Sequence, residues 1–276
     1  MKIIDSQIHA FYPNTPARPW PEGATPVHGP QYTIEDAEAQ MDAAGVARVV
    51  LVPASWNGWD NEYSLAAARA KPDRFGVMGR FNIASPDAKK MLSGWRSQKG
   101  MLGMRLFFLG EPWMTLLNDT SFDWFWREIE QTRMPFMAHI PGHIAGFEQL
   151  LARFPTLRLI VDHGGRHPRG AKDDAAWADA DQLYALARFP DVSVKVSSLP
   201  CFSTEPYPFR NLHRHIRAIY DAFGPRRMLW GSDVTRLTST YEQNIALFTR
   251  ELDWLSEDDK AWIMGKAAAE RCDWPL

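Results

Sequence analysis

Three histidines and one aspartate stand at the ends of short apolar runs in four separated parts of the chain. The runs are Lys2-Ile-Ile-Asp-Ser-Gln-Ile-His9, Met134-Pro-Phe-Met-Ala-His139, Leu157-Arg-Leu-Ile-Val-Asp-His163 and Met228-Leu-Trp-Gly-Ser-Asp233. Imidazoles and carboxylates hold divalent metals and transfer protons. One such histidine alone reads as hydrogen-bonded structure, because buried polar groups normally find partners. Three of them converging with an acid read as the site of a metal-assisted or general-base hydrolase.

Other polar residues share these runs. Gln7 and His9 are two apart on a strand and share a face, with Asp5 one layer deeper. Arg105 in Gly103-Met-Arg-Leu-Phe-Phe108 and Lys195 in Val192-Ser-Val-Lys-Val-Ser-Ser198 are cations inside apolar strands, which is costly unless each is paired or meets a ligand. Two readings stand side by side: an ion pair across the barrel, for example with Asp5, or capture of a substrate carboxylate. His213 and His215 have the same spacing as Gln7 and His9 but lie in a helical stretch, where residues two apart diverge, and are read as surface. His28, His143 and His167 fall in loops and say nothing alone.

Strand-like and helix-like segments alternate to position these groups. Strands are expected at Lys2–His9, Arg48–Pro53, Phe75–Asn82, Gly103–Phe108, Met134–Ile140, Leu157–His163, Val192–Ser198 and Arg227–Ser232. Thr33-Ile-Glu-Asp36 looks like a capping box opening a helix that runs to Gly45, and Ser85-Pro86 like a second helix start. Further helices are expected at Glu62–Lys71, Trp124–Thr132, Phe147–Arg153, Asp181–Arg188 and Phe209–Phe223, and from Tyr241 onwards. Eight strand-then-helix units predict a single (β/α)8 TIM barrel, one domain over 1–276, with the active site at the strands' C-terminal ends. A doubly wound open sheet is the competitor, but the first strand-to-helix turn lacks a Gly-rich phosphate loop.

Composition narrows the class. The 276 residues are 45% hydrophobic and 23% charged with a net charge of -2, so neither nucleic acid nor an anionic membrane is an expected partner. A small-molecule substrate is expected, and a homo-oligomer stays open. Cys201 and Cys272 are too few for a disulfide framework. The amino terminus runs straight into a strand without signal-peptide segments, so a cytoplasmic location is expected. Trp20, Trp56, Trp59 and Trp113 fall where loops are expected and would pack those loops or wall an apolar pocket. The loops Asn14–Tyr32, Trp56–Asn61 and Ser198–Pro208 would set the substrate.

With these residues placed, the chain resembles the amidohydrolase superfamily, and within it the lactone-hydrolysing branch of the amidohydrolase-related (type 2) proteins. Asp5-Ser-Gln-Ile-His9 is similar to the Asp-x-His-x-His opening of the first strand. His139, Val161-Asp-His-Gly164, Lys195-Val-Ser-Ser198 and Gly231-Ser-Asp233 resemble the landmarks of strands five to eight, and Ile263-Met-Gly-Lys-Ala-Ala268 a terminal Gly-Asn-Ala signature with Lys266 in place of Asn. The resemblance spans essentially the whole chain. It implies hydrolysis of a lactone or related cyclic ester carried by a small carboxylated or polyhydroxylated molecule. Asp233 would be the general base for water, His9 and His139 would position that water, and His163 would hydrogen-bond the developing oxyanion. Arg105, Lys195 and Gln7 would contact the substrate.

Gln7 departs from the pattern, since it replaces the first histidine of the His-x-His pair and a neutral amide is a poor zinc ligand. The expectation is either one divalent cation (zinc or manganese) on His9, His139 and Asp233, or no metal. Gln7→His is expected to raise metal occupancy. The alternatives are a metal-dependent non-oxidative decarboxylase on the same fold and a degenerate barrel that binds a ligand without turning it over.

Overall fold

Strands covered on both faces are rich in apolar side chains; eight segments form such strands, although Ile3–Ile8 and Ser193–Ser197 also bury three polar side chains each. In the computed structural model, which describes residues 1–20, 22, 29–111 and 113–276, these are β1 (Ile3–Ile8), β2 (Val46–Leu51), β3 (Phe75–Arg80) and β4 (Met101–Phe107). They continue as β5 (Phe136–His139), β6 (Leu159–Val161), β7 (Ser193–Ser197) and β8 (Met228–Gly231). All neighbours pair in parallel, and the sheet runs in chain order from β1 to β8. The expected single (β/α)8 barrel is the fold. His28 and part of the expected loop Asn14–Tyr32 lie outside the described residues.

The barrel draws together at the seam between β1 and β8. Asp233 N donates to Gln7 O at 2.9 Å, and Ser6 Oγ to Trp230 O at 2.7 Å. Asp5 ties the same seam by accepting from Gln7 N, Ser232 N and the Tyr241 hydroxyl at 2.9, 2.8 and 2.8 Å. Gly231 allows this approach, because a Cβ there would stand 2.8 Å from Ser6 Oγ and 3.2 Å from Gln7 N.

Most expected helices form. Thr33 and Asp36 make the capping box of the helix Ile34–Ala44, and Gly45 closes it with φ 70°, a conformation that suits glycine. The helix after Ser85-Pro86 is only Ala88–Ser93, and a helix at Trp113–Asn118 was not expected. Beyond Tyr241 the chain alternates α-helical turns with π-helical ones at Leu247–Glu251 and Trp262–Lys266. Ile4, Val50, Val52, Met78, Leu102, Met137, Ile160 and Leu229 form a buried cluster separate from the larger core. Arg105 registers with Met137, and Lys195 with Leu229, so both cations enter this apolar layer. Among the described residues no helix is long and apolar enough to cross a membrane.

Candidate active site

The strand-end groups converge as their spacing demanded. His9 Nε2 lies 3.4 Å from Asp233 Oδ1, and His163 Nε2 lies 4.0 Å from Asp233 Oδ2. The His139 ring packs edge-on to His163 at 5.5 Å and stacks on Phe107 at 5.0 Å. His9, His139 and His163 open onto a cavity of about 240 Å³, walled also by Trp56, Phe107, Arg105, His167, Arg169 and Arg236. Asp233 is wholly buried beneath it.

Hydrogen bonds settle the orientation of most groups. His9 Nδ1 meets the Val52 carbonyl at 2.7 Å and must donate to it, so Nε2 is the acceptor and takes the Gln7 amide at 3.0 Å. Ser198 Oγ donates to Asp233 Oδ2 at 2.7 Å and also lies 3.0 Å from His163 Nδ1, with Ser197 Oγ at 2.8 Å on the same nitrogen. Asp233 Oδ1 and His139 Nδ1 are buried without a hydrogen-bond partner. A buried polar atom without a protein partner calls for an explanation, of which a catalytic role is one.

Three of these side chains are delivered by backbone that L-residues seldom adopt. His163, Ser198 and Asp233 follow β6, β7 and β8 with φ of 53°, 56° and 56°. Each left-handed residue costs on the order of 1 kcal/mol or more, a strain that clusters at functional sites.

The two strand cations share one acid. Arg105 Nε donates to Asp162 Oδ2 at 3.0 Å, and Lys195 Nζ forms an ion pair with Asp162 Oδ1 at 3.0 Å. The expected cross-barrel pair therefore exists, but its acid is Asp162; Asp5 is taken up by the seam. Burial would raise the Asp162 carboxyl, yet Lys195 and Arg105 outweigh it and hold the group well below the usual range. Arg105 reaches the cavity wall, whereas Lys195 and Gln7 are fully buried and do not line it. Lys195 and Gln7, two of the three residues expected to touch substrate, thus lie below it. Lys195 donates to Gln7 Oε1 instead.

Burial drives all three imidazoles toward neutrality. His163 is lowered to about 4, partly offset by Asp233 and Asp162. His9 and His139 are pushed well below the ordinary histidine range by burial, with Arg236 and Arg105 adding to the effect on His9 and Arg105 and His163 to that on His139. An unfolded histidine titrates near 6.5, so between 6.5 and about 4 the unfolded chain binds more protons at His163 than the folded one. Stability therefore rises with pH across that window, by up to about 3 kcal/mol for this one group. Asp5, raised to about 6 by burial, opposes this: its contribution favours the folded state below 3.8 and fades as pH climbs to about 6. Three lowered histidines outweigh one raised aspartate. The urea midpoint should be lower at pH 5 than at pH 7.5, and an equal or higher midpoint would contradict neutral buried imidazoles.

As placed, the side chains do not form a metal site. Among the described residues no group of three or more His, Cys, Asp or Glu side chains is disposed to hold an ion. The lone pair His9 would offer is engaged by Gln7, and the ammonium behind Gln7 would repel a cation. The expected ligands His9, His139 and Asp233 meet, but not as a coordination set.

Arg236, His167 and Arg169 also line the cavity, though no pattern in the sequence singles them out. Of the four loop tryptophans only Trp56 walls the cavity; Trp20 packs on Phe11 and Trp56, and Trp59 on Trp113. His213 and His215 lie half-buried on the helix Arg210–Phe223, where His215 stacks on Trp177 at 5.1 Å. Cys201 and Cys272 are free and buried, and burial pushes both thiols up to about 12.

Comparison with known proteins agrees with this architecture. The chain is 27% identical to an L-fucono-1,5-lactonase of Burkholderia ambifaria over 86% of its own length and 82% of the relative's. It is 26% identical to a 4-sulfomuconolactone hydrolase of Rhizobium radiobacter, covering 83% and 74%. A crystal structure of an amidohydrolase from Burkholderia multivorans with bound zinc superimposes with a TM-score of 0.82 over the whole of both chains at 22% identity. The amidohydrolase family model matches residues 4–270. With a barrel of this topology and these landmarks at its strand ends, the protein belongs to the amidohydrolase family and is a hydrolase.

Proposed function

We propose that the enzyme hydrolyses a small lactone bearing at least one carboxylate or comparable anion. Lactone hydrolysis in general is what its lactonase relatives support. The observation that carries the anionic substrate is the charge of the cavity wall: Arg105, Arg169 and Arg236 line it, and no acidic side chain does among the described residues. A guanidinium binds a carboxylate through paired hydrogen bonds that a hydroxyl cannot match.

In this reading the attacking water sits above Asp233 Oδ1, the partnerless oxygen, and gives its proton to it. His139 helps to orient that water. Ser198 donates to Asp233; with Ser197 donating to His163 Nδ1, His163 Nε2 carries the ring proton toward the cavity. A neutral imidazole N–H of this kind can polarise a carbonyl and stabilise the charge that develops on its oxygen. Arg105, fixed by Asp162, holds the substrate's anion beside it. The amidohydrolase family uses metals in many members, but the donors here fit none, and no step of this reading runs through one.

Proton release from a panel of lactones in weak buffer tests the proposal. Carboxylated members should be turned over with kcat/KM at least about 10-fold above neutral lactones of the same ring, and Arg105→Met should reduce that advantage about 10- to 100-fold, mainly through KM, as expected for losing a charged hydrogen bond. A panel with no carboxylated substrate would sink it.

A further inference from the structure

Beneath the cavity runs a hydrogen-bond chain whose direction is fixed at both ends. Lys195 Nζ can only donate, and it faces Gln7 Oε1. The Gln7 amide is therefore turned with its nitrogen toward His9 Nε2, 3.0 Å away. The Val52 carbonyl can only accept, and it takes His9 Nδ1–H at 2.7 Å. Neither end can reverse its role, so each link between them points one way.

We propose that the Lys195 ammonium, acting through the Gln7 carboxamide, is a built-in substitute for a metal ion beneath the cavity: it orients His9 and keeps Asp233 free for its work as base. The inference rests on the lactone-hydrolase reading only for that last consequence. Lys195 is a positioning residue, since it is fully buried and contacts Asp162, Gln7 and the Met137 sulfur rather than the cavity.

The geometry shows what the device achieves. His9 Nε2 stands 3.4 Å from Asp233 Oδ1. If that nitrogen carried the ring proton it would donate to Oδ1 and occupy the lone pair that must take a proton from water. Gln7 instead offers an N–H to Nε2, so His9 has no proton to give on that side. Asp233 Oδ1 is left buried and unpartnered. The same arrangement disfavours an external cation twice over, because the His9 lone pair is used and a fixed positive charge lies one amide away. Replacing Gln7 with histidine is then not sufficient to create a metal site; the ammonium must go as well.

Two measurements test this without any lactone, so failure of the lactone reading and failure of this one are distinguishable. Zinc alone is titrated into the Gln7→His variant and into Gln7→His/Lys195→Met. The double variant should bind one zinc at least about 100-fold tighter than the single one, a modest share of the repulsion a buried charge exerts at this range. Equal affinities, or stoichiometric zinc on the unaltered protein, would overturn the proposal. Should the double variant not fold, nitrogen-15 NMR of the histidine rings in the unaltered protein decides the matter, with His9 assigned by loss of its signals in His9→Asn. His9 is expected as the Nδ1–H tautomer at neutral pH, unmoved by added zinc. An Nε2–H tautomer, or ring shifts on adding zinc, would overturn it.

Discussion

Asp233→Asn is expected to fold and to lose about 1,000-fold in kcat on the best carboxylated lactone, with KM changed by less than about threefold, the pattern of a group needed only in the transition state. The amide can still accept from Ser198 through the position of Oδ2, and the Asp233 N–H to Gln7 O bond of the seam involves backbone alone. What disappears is a carboxylate whose Oδ1, buried and without a hydrogen-bond partner, lies 3.4 Å from His9 and whose Oδ2 lies 4.0 Å from His163. Steady-state kinetics checks it, with circular dichroism to show the fold intact. Near-full turnover would mean that another group takes the proton.

Asp162→Ala should have the largest effect on stability. Asp162 is wholly buried and partners both Arg105 and Lys195. Removing one member of a buried ion pair typically costs about 3–5 kcal/mol, because the remaining charge is left unpaired in a weakly polar interior. Here two cations lose their acid together and are left to repel each other. Urea unfolding should show a loss at or above the upper part of that range. Adding Lys195→Met to Asp162→Ala should recover part of it, since one stranded charge is removed, and the two changes should be strongly non-additive. A loss below about 1 kcal/mol would place the compensation elsewhere, such as in water reaching the cations.

These two residues show where the sequence is legible and where it stops. Asp233 closes an apolar run, and eight such runs alternating with helices leave few folds other than a parallel barrel, whose strand ends share one face. The convergence of His9, His139, His163 and Asp233 could therefore be read from order and polarity alone. Lys195 was legible as a buried charge in need of a partner, but the partner was not: Asp5 and Asp162 both lie in strand-end runs, and only the packing sends Asp5 to the β1–β8 seam and Asp162 to the cations. Arg236 and His167 went unread because they belong to the segments that follow strands, where no periodicity predicts direction. The left-handed backbone at His163, Ser198 and Asp233 was invisible for a different reason. It is a strain imposed by tertiary structure on residues whose own preferences oppose it.

In the proposed reaction, water activated at Asp233 opens a lactone ring by attack on its carbonyl. Turnover of a carboxylated lactone in oxygen-18 water, followed by mass spectrometry of the product, tests it most directly. One oxygen-18 atom is expected in the newly formed carboxylate and none in the released hydroxyl. A rearranged lactone or a decarboxylated product without solvent oxygen would contradict it.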